Sequence, residues 1–91
     1  MLGENVLGFS LSENHNKVTW WTLNELWVYW LENTNYQPTH IRGDKELITR
    51  FSTPIRRAGW FTGEDHIVVD IGSGYRIVEI DTRGGTNIIK I

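Results

Sequence analysis

Apolar and polar residues alternate in short runs along this chain, and the pattern of the first half returns in the second. The first half contains GFSLSENHNKVTWW followed by NELWVYWL, and the second contains AGWFTGEDHIVVDI followed by YRIVEID. Matched positions such as Leu26 and Ile77 lie about fifty residues apart, and a further apolar run closes each half at 46–51 and 87–91. Short apolar runs between turn residues are typical of strands, so the pattern predicts four strands in each half.

The predicted strands are 6–12, 17–22, 25–31 and 46–51 in the first half, and 55–61, 66–71, 75–81 and 87–91 in the second. Gly72-Ser73-Gly74 supplies the positive φ values that a tight hairpin requires. A four-strand unit repeated at this period is the signature of a β-propeller blade. We therefore expect an all-β chain that forms one two-blade unit over 1–91. Blade one spans about 6–52 and blade two about 55–91.

The third predicted strand also fits an amphipathic helix over 19–32, because five apolar residues between Leu23 and Leu31 fall at helical spacing. Its counterpart at 76–81 is rich in β-branched residues and too short for an independent helix. The repeat therefore favours a strand. Its two faces would carry Leu26, Val28 and Trp30 on one side and Trp27, Tyr29 and Leu31 on the other, so both faces are apolar.

This two-sided apolarity predicts assembly. A single pair of stacked blades would leave two apolar faces in water, which soluble monomers avoid. Copies placed head to tail around an axis would cover those faces and close a ring. Three copies would give a six-bladed homotrimer and four an eight-bladed homotetramer, and the sequence leaves both open. The residues expected to pack between blades are Trp27, Val28, Trp30, Trp60, Ile77 and Ile80.

Composition argues against several other classes of protein. The net charge is −2, whereas nucleic-acid binding requires concentrated Lys and Arg. No apolar run is long enough to cross a bilayer and the N-terminus does not resemble a signal peptide, so we expect a soluble chain that does not insert into membranes. The absence of cysteine removes disulfides and thiolate metal sites.

Candidate chemistry is sparse, and we expect no enzyme, metal site or cofactor. His15, His40 and His66 lack the spacing of metal ligands, so structural hydrogen bonding is favoured for them. Asp65-His66 has no Gly-x-Ser-x-Gly nucleophile elbow to complete a hydrolytic triad.

Two regions are candidates for a ligand or partner surface. Trp20 could stack on a sugar ring, although packing between blades is the simpler role for a tryptophan here. The long connection at 32–45 contains Tyr36, His40 and Arg42, and long loops on rigid scaffolds often carry binding residues. A solvated hairpin tip is the structural alternative for that loop.

The segment at 49–87 reads TRFSTPIRRAGWFTGEDHIVVDIGSGYRIVEIDTRGGTN. It resembles the propeller repeats of Tol-type and prolyl-oligopeptidase-type families, and it is especially similar to the C-terminal propellers attached to bacterial PEGA domains. The match is carried by Trp60, His66, Ile77, Glu79, Ile80 and Asp81, and less tightly in blade one by Asn14, Lys17 and 25–29. Blade one departs from the pattern in its last hairpin, which is about ten residues longer.

The resemblance implies a non-enzymatic scaffold or binding module, excised from or engineered out of a longer propeller and associated with the bacterial envelope. Its partners would be further copies of itself, together with a protein or glycan ligand. The alternative is a carbohydrate-binding lectin, since some small lectins are also two-blade chains that assemble into rings. No residue run here matches a lectin sugar motif.

Overall fold

The computed structural model describes residues 6–12, 15–34, 40–61, 66–81 and 88–90. They form eight strands: β1 (Gly8–Leu11), β2 (Lys17–Trp21), β3 (Glu25–Trp30), β4 (Lys45–Arg50), β5 (Arg57–Trp60), β6 (His66–Asp70), β7 (Tyr75–Glu79) and β8 (Ile88–Lys90). Each lies within its predicted range except β4, which begins one residue earlier. The described residues contain no helix, so the all-β prediction is confirmed and the helix over 19–32 is excluded.

The strands form two antiparallel sheets of four, in the orders β1-β2-β3-β4 and β5-β6-β7-β8. Each strand therefore pairs with its neighbour along the chain, as short hairpin connections favour. The prediction of two four-stranded antiparallel units is confirmed. No helix of the described part is long and apolar enough to span a membrane.

The strand pairing itself repeats, with a shift of 49 residues. Gly8 pairs with Trp21 and Arg57 with Asp70, as Lys17 pairs with Trp30 and His66 with Glu79. The shift brings every Cα pair of β1–β2 and β2–β3 onto a pair of β5–β6 and β6–β7. Each residue of β1, β2 and β3 thus has a defined equivalent 49 positions further along.

The repeat breaks down at the fourth strand. Fourteen residues separate Trp30 at the end of β3 from Lys45 at the start of β4, whereas eight separate Glu79 from Ile88. The longer connection exceeds the shorter by six residues, so the expected excess of about ten was too large. The pairing of β3 with β4 also shifts between Leu26 and Trp27, where a bulge interrupts the ladder.

One hydrophobic core lies between the two sheets. Its buried members are Trp21, Leu26, Val28, Trp30, Ile48, Ile55, Ile67, Val69, Ile71, Val78 and Ile80, with Phe51, Ala58 and Trp60 packed against them. The backbones of the sheets approach most closely where β5 lies against β1 and β2. The sheets therefore form a wedge, narrowest at the first strand of each.

The two sheets meet through opposite faces. On β3, Leu26, Val28 and Trp30 are buried toward the second sheet. Their equivalents 49 residues later, Tyr75, Ile77 and Glu79, lie on the outward face of β7, whose buried residue is Val78. The equivalent of Val78 is Tyr29, which faces outward on β3. The face that the first sheet buries is thus the face that the second sheet exposes.

Candidate functional site

The outward surface of the first sheet is apolar over much of its area, and we refer to it as face one. Cross-strand partners share a face, which places Phe9, Leu11, Val18, Trp20, Trp27, Tyr29 and Leu47 together. Phe9 is 65% exposed and Leu11 is 44% exposed. Lone exposed apolar residues are ordinary, but these neighbours form a patch on one strand.

The centre of face one is a stacked tryptophan pair. The rings of Trp20 and Trp27 lie 5.5 Å apart and are tilted by only 5°. Trp20, a predicted ligand-contacting residue, is 2% exposed. Trp27 covers it and is half-buried. The accessible indole of this pair is therefore that of Trp27.

A carboxylate fixes the polar edge of Trp27. The Trp27 Nε1–H donates to Glu25 Oε1 at 3.2 Å, and Arg50 Nε donates to Glu25 Oε2 at 2.9 Å. The Arg50 hydrogen bond, followed by that from Trp27, lowers the pKa of the Glu25 carboxyl below its ordinary value. Hydrogen bonds to both oxygens thus stabilise the ionised form of this partly exposed carboxylate.

The outward surface of the second sheet, face two, comprises Arg57, Gly59, His66, Val68, Asp70, Tyr75, Ile77, Glu79 and Ile89. A shallow depression of about 220 Å³ lies here, lined by Arg57, Ala58, Gly59, Trp60, Val68, Asp70 and Tyr75. Arg57 Nε lies 3.7 Å from Asp70 Oδ2 at its rim. Tyr75, which lines it, and Ile89 on β8 are exposed. Face two therefore combines apolar side chains with the charged groups of Arg57, Asp70 and Glu79, and its recess lies on the β5 side.

Trp60 joins the two sheets. Its Nε1–H donates to the backbone oxygen of Ser10 at 2.9 Å, and Lys17 Nζ lies 5.9 Å from its ring centroid. Lys17 is itself almost completely buried. The half-buried Trp60 thus contributes a hydrogen bond and a cation–π contact at the narrow end of the wedge.

The residues predicted to pack between blades fall into two groups. Val28, Trp30 and Ile80 are buried in the core between the two sheets of one chain, and Trp60 packs at its rim. Trp27 and Ile77 lie on face one and face two, away from that core. Only contact with another molecule would place the second group between sheets.

The loop between β3 and β4 is tied to the core through His40. The His40 ring stacks on Trp30, with centroids 3.6 Å apart, and its Nδ1 lies 3.4 Å from Asp44 Oδ2. The backbones of Thr34 and His40 bond to each other, since Thr34 N donates to His40 O at 2.8 Å. The hydrogen bonds and the stack make His40 part of the packing of this loop.

The remaining predicted loop residues are placed differently. Arg42 is exposed, and its backbone N–H donates to Asn33 Oδ1 at 2.7 Å. Tyr36 lies outside the described residues. Among the described residues, no three His, Asp or Glu side chains are grouped so as to hold a metal ion.

Sequence reasoning missed four residues of these surfaces. Phe9 and Leu11 resemble ordinary strand residues, and only the pairing register places them on an exposed face. The Glu25–Arg50 pair joins residues 25 positions apart, which no local motif signals.

Comparisons with protein-family models, curated proteins and solved structures gave no match to this chain.

Proposed function

We propose that this chain is a non-enzymatic, self-assembling scaffold or binding module, whose copies close into a β-propeller of six or eight blades. The observation that supports it is the packing of the two sheets through opposite faces. Face one is equivalent to the face that the second sheet buries, and face two to the face that the first sheet buries. Each chain therefore exposes both surfaces that a junction between copies needs, face one on its first sheet and face two on its second.

The repeat points to a second copy as the partner, because each exposed face is equivalent to a face that is buried within the chain. Face one of one copy can pack on face two of the next in the way that the two sheets pack within the chain. Such a contact is heterologous, and repeated at a constant angle it closes into a ring. The order of strands within each sheet, with the first at the narrow end of the wedge, is the order a propeller blade requires.

Exposed apolar side chains supply the driving force. Phe9 and Leu11 on face one, and Tyr75 and Ile89 on face two, are all more than 40% exposed. Removing a large apolar side chain from water contributes about 1.5–3 kcal/mol when burial is complete. Several such residues at each junction can offset the entropy lost when copies associate.

The molecular mass in solution tests this proposal. Native mass spectrometry and light scattering over a dilution series should give three or four times the chain mass of 10.6 kDa. A folded particle of 10.6 kDa at every concentration would contradict it. Circular dichroism of the same samples should show strand structure, which separates failure to assemble from failure to fold.

Carbohydrate binding is a second candidate function, favoured by the surroundings of Trp27. Its accessible ring, with Glu25 and Arg50 beside it, combines a stacking platform with polar groups that can bond to sugar hydroxyls. Glycan-array screening of wild type and Trp27→Leu tests this reading. Binding that Trp27→Leu abolishes would favour the lectin, and the absence of binding would leave the scaffold.

A further inference from the structure

We infer that the junction between copies is a size-swapped version of the junction within the chain, in which Phe9 of one copy occupies the depression on face two of the next. The inference rests on the proposed self-assembly and specifies which residues meet. It follows from comparing equivalent positions at the two junctions, 49 residues apart.

Within the chain, the first sheet contributes a large residue, Trp21, to the core and the second sheet contributes a small one, Ala58. The Trp21 indole lies over its cross-strand partner Gly8, where a Cβ atom would overlap the ring. Ala58 packs against the core cluster to which Trp21 belongs. In this core the first sheet therefore contributes the bulk of Trp21, and the second sheet leaves space beside the small side chain of Ala58.

On the outer faces the sizes are exchanged. The equivalent of Trp21 is Asp70, and the equivalent of Ala58 is Phe9. Asp70 has no ring and lies 3.7 Å from Arg57, the equivalent of Gly8, and both residues line the depression of about 220 Å³. Phe9 is 65% exposed and large. Face two therefore supplies the space at the junction between copies, and Phe9 supplies the bulk.

The two junctions also differ in polarity. Within the chain, Trp60 bonds to the Ser10 carbonyl and packs beside Lys17. The equivalents of these three residues are Leu11, Gly59 and His66, which place an aliphatic side chain where the indole N–H would be. The junction between copies thus lacks this hydrogen bond. Copies should separate at lower denaturant concentrations than those that separate the two sheets of one chain.

A mixing experiment tests the inference. Phe9→Asp damages face one and leaves face two intact, whereas Tyr75→Asp damages face two and leaves face one intact. Each variant alone should have the mass of one chain, 10.6 kDa. Their mixture retains one undamaged junction and should form a dimer of twice that mass. Ile41→Asp is the matched control, since Ile41 is 62% exposed in the β3–β4 loop and should leave the assembly intact.

The outcomes separate this inference from the proposed function. A monomeric wild type would overturn both. An assembled wild type whose mass is unchanged by Phe9→Asp, or a mixture of folded variants that stays monomeric, would overturn the size-swapped junction and leave self-assembly standing. Circular dichroism of each variant verifies the fold.

A double-mutant cycle tests the exchange of sizes with substitutions that introduce no charged side chain. Phe9→Ala should raise the dissociation constant between copies roughly tenfold or more, because the depression is then empty. Asp70→Trp should also weaken assembly, because two large rings would compete for one space. The combination of both should recover most of the affinity. Losses that simply add would overturn the inference.

Discussion

At the scale of the residue, Trp60 shows how one side chain links the two sheets. Its indole N–H satisfies the Ser10 carbonyl, and its ring lies beside the buried Lys17. Trp60→Phe keeps an aromatic ring but removes the donor, so we expect the free energy of unfolding to fall by about 1 kcal/mol. Trp60→Ala should lower it by about 3 kcal/mol, since Trp60 is only half-buried. Urea unfolding followed by circular dichroism measures both, and equal losses would show that the hydrogen bond contributes nothing.

Glu25 makes the stability of the chain depend on pH in the acidic range. Hydrogen bonds from Arg50 and Trp27 lower the pKa of its carboxyl in the folded state below its ordinary value. The stabilisation is present above the unfolded-state pKa and is lost as the pH falls through the lowered folded-state pKa. The difference in melting temperature between wild type and Glu25→Gln should therefore be largest above the ordinary carboxyl pKa and shrink as the pH falls below it.

The control for Glu25 is a second variant in the same pair. Adding Arg50→Gln to Glu25→Gln should leave the pH profile of the single variant unchanged, because the carboxylate that titrates is already absent. Calorimetric melting temperatures across the pH series provide the measurement. A gap that stays constant with pH would contradict the role of the ionised carboxylate.

At the scale of the element, the β3–β4 connection is held by its contact with the end of β3. His40→Ala removes the ring stacked on Trp30, and we expect a loss of about 1 kcal/mol. Amide hydrogen exchange in the described part of the loop should quicken as well. Arg42→Ala is the matched control: its side chain is exposed and its backbone bond to Asn33 remains, so the change should stay within about 0.5 kcal/mol.

Strand order could be predicted because it follows from local signals. Gly72, with φ of 87°, lies in the turn that its Gly-Ser-Gly sequence predicts. The assignment of faces was less accessible, since all five residues of β2 are buried and show no alternation. The stack of His40 on Trp30 depends on how a long loop folds back, which spacing alone does not specify. Pairing registers were needed to find that the two sheets meet through opposite faces.

At the scale of the whole molecule, substitutions at two neighbouring residues of β3 should distinguish an effect on folding from an effect on assembly. Val28 is completely buried between the two sheets, whereas Tyr29 faces outward. Val28→Lys should unfold the chain, because it buries an unpaired charge. Tyr29→Lys should keep strand structure and reduce the mass in solution to that of one chain. Circular dichroism and light scattering on both variants decide the matter, and an assembled Tyr29→Lys would show that face one is not used.

The narrowing of the wedge toward β1 and β5 has a consequence for growth. Copies added without tilt would extend into an open filament of no fixed length, as happens when a heterologous contact fails to close. A tilt repeated at each addition instead bends the row back to its first member. The angle between the two sheets of a single polypeptide would then set the number of copies in the ring.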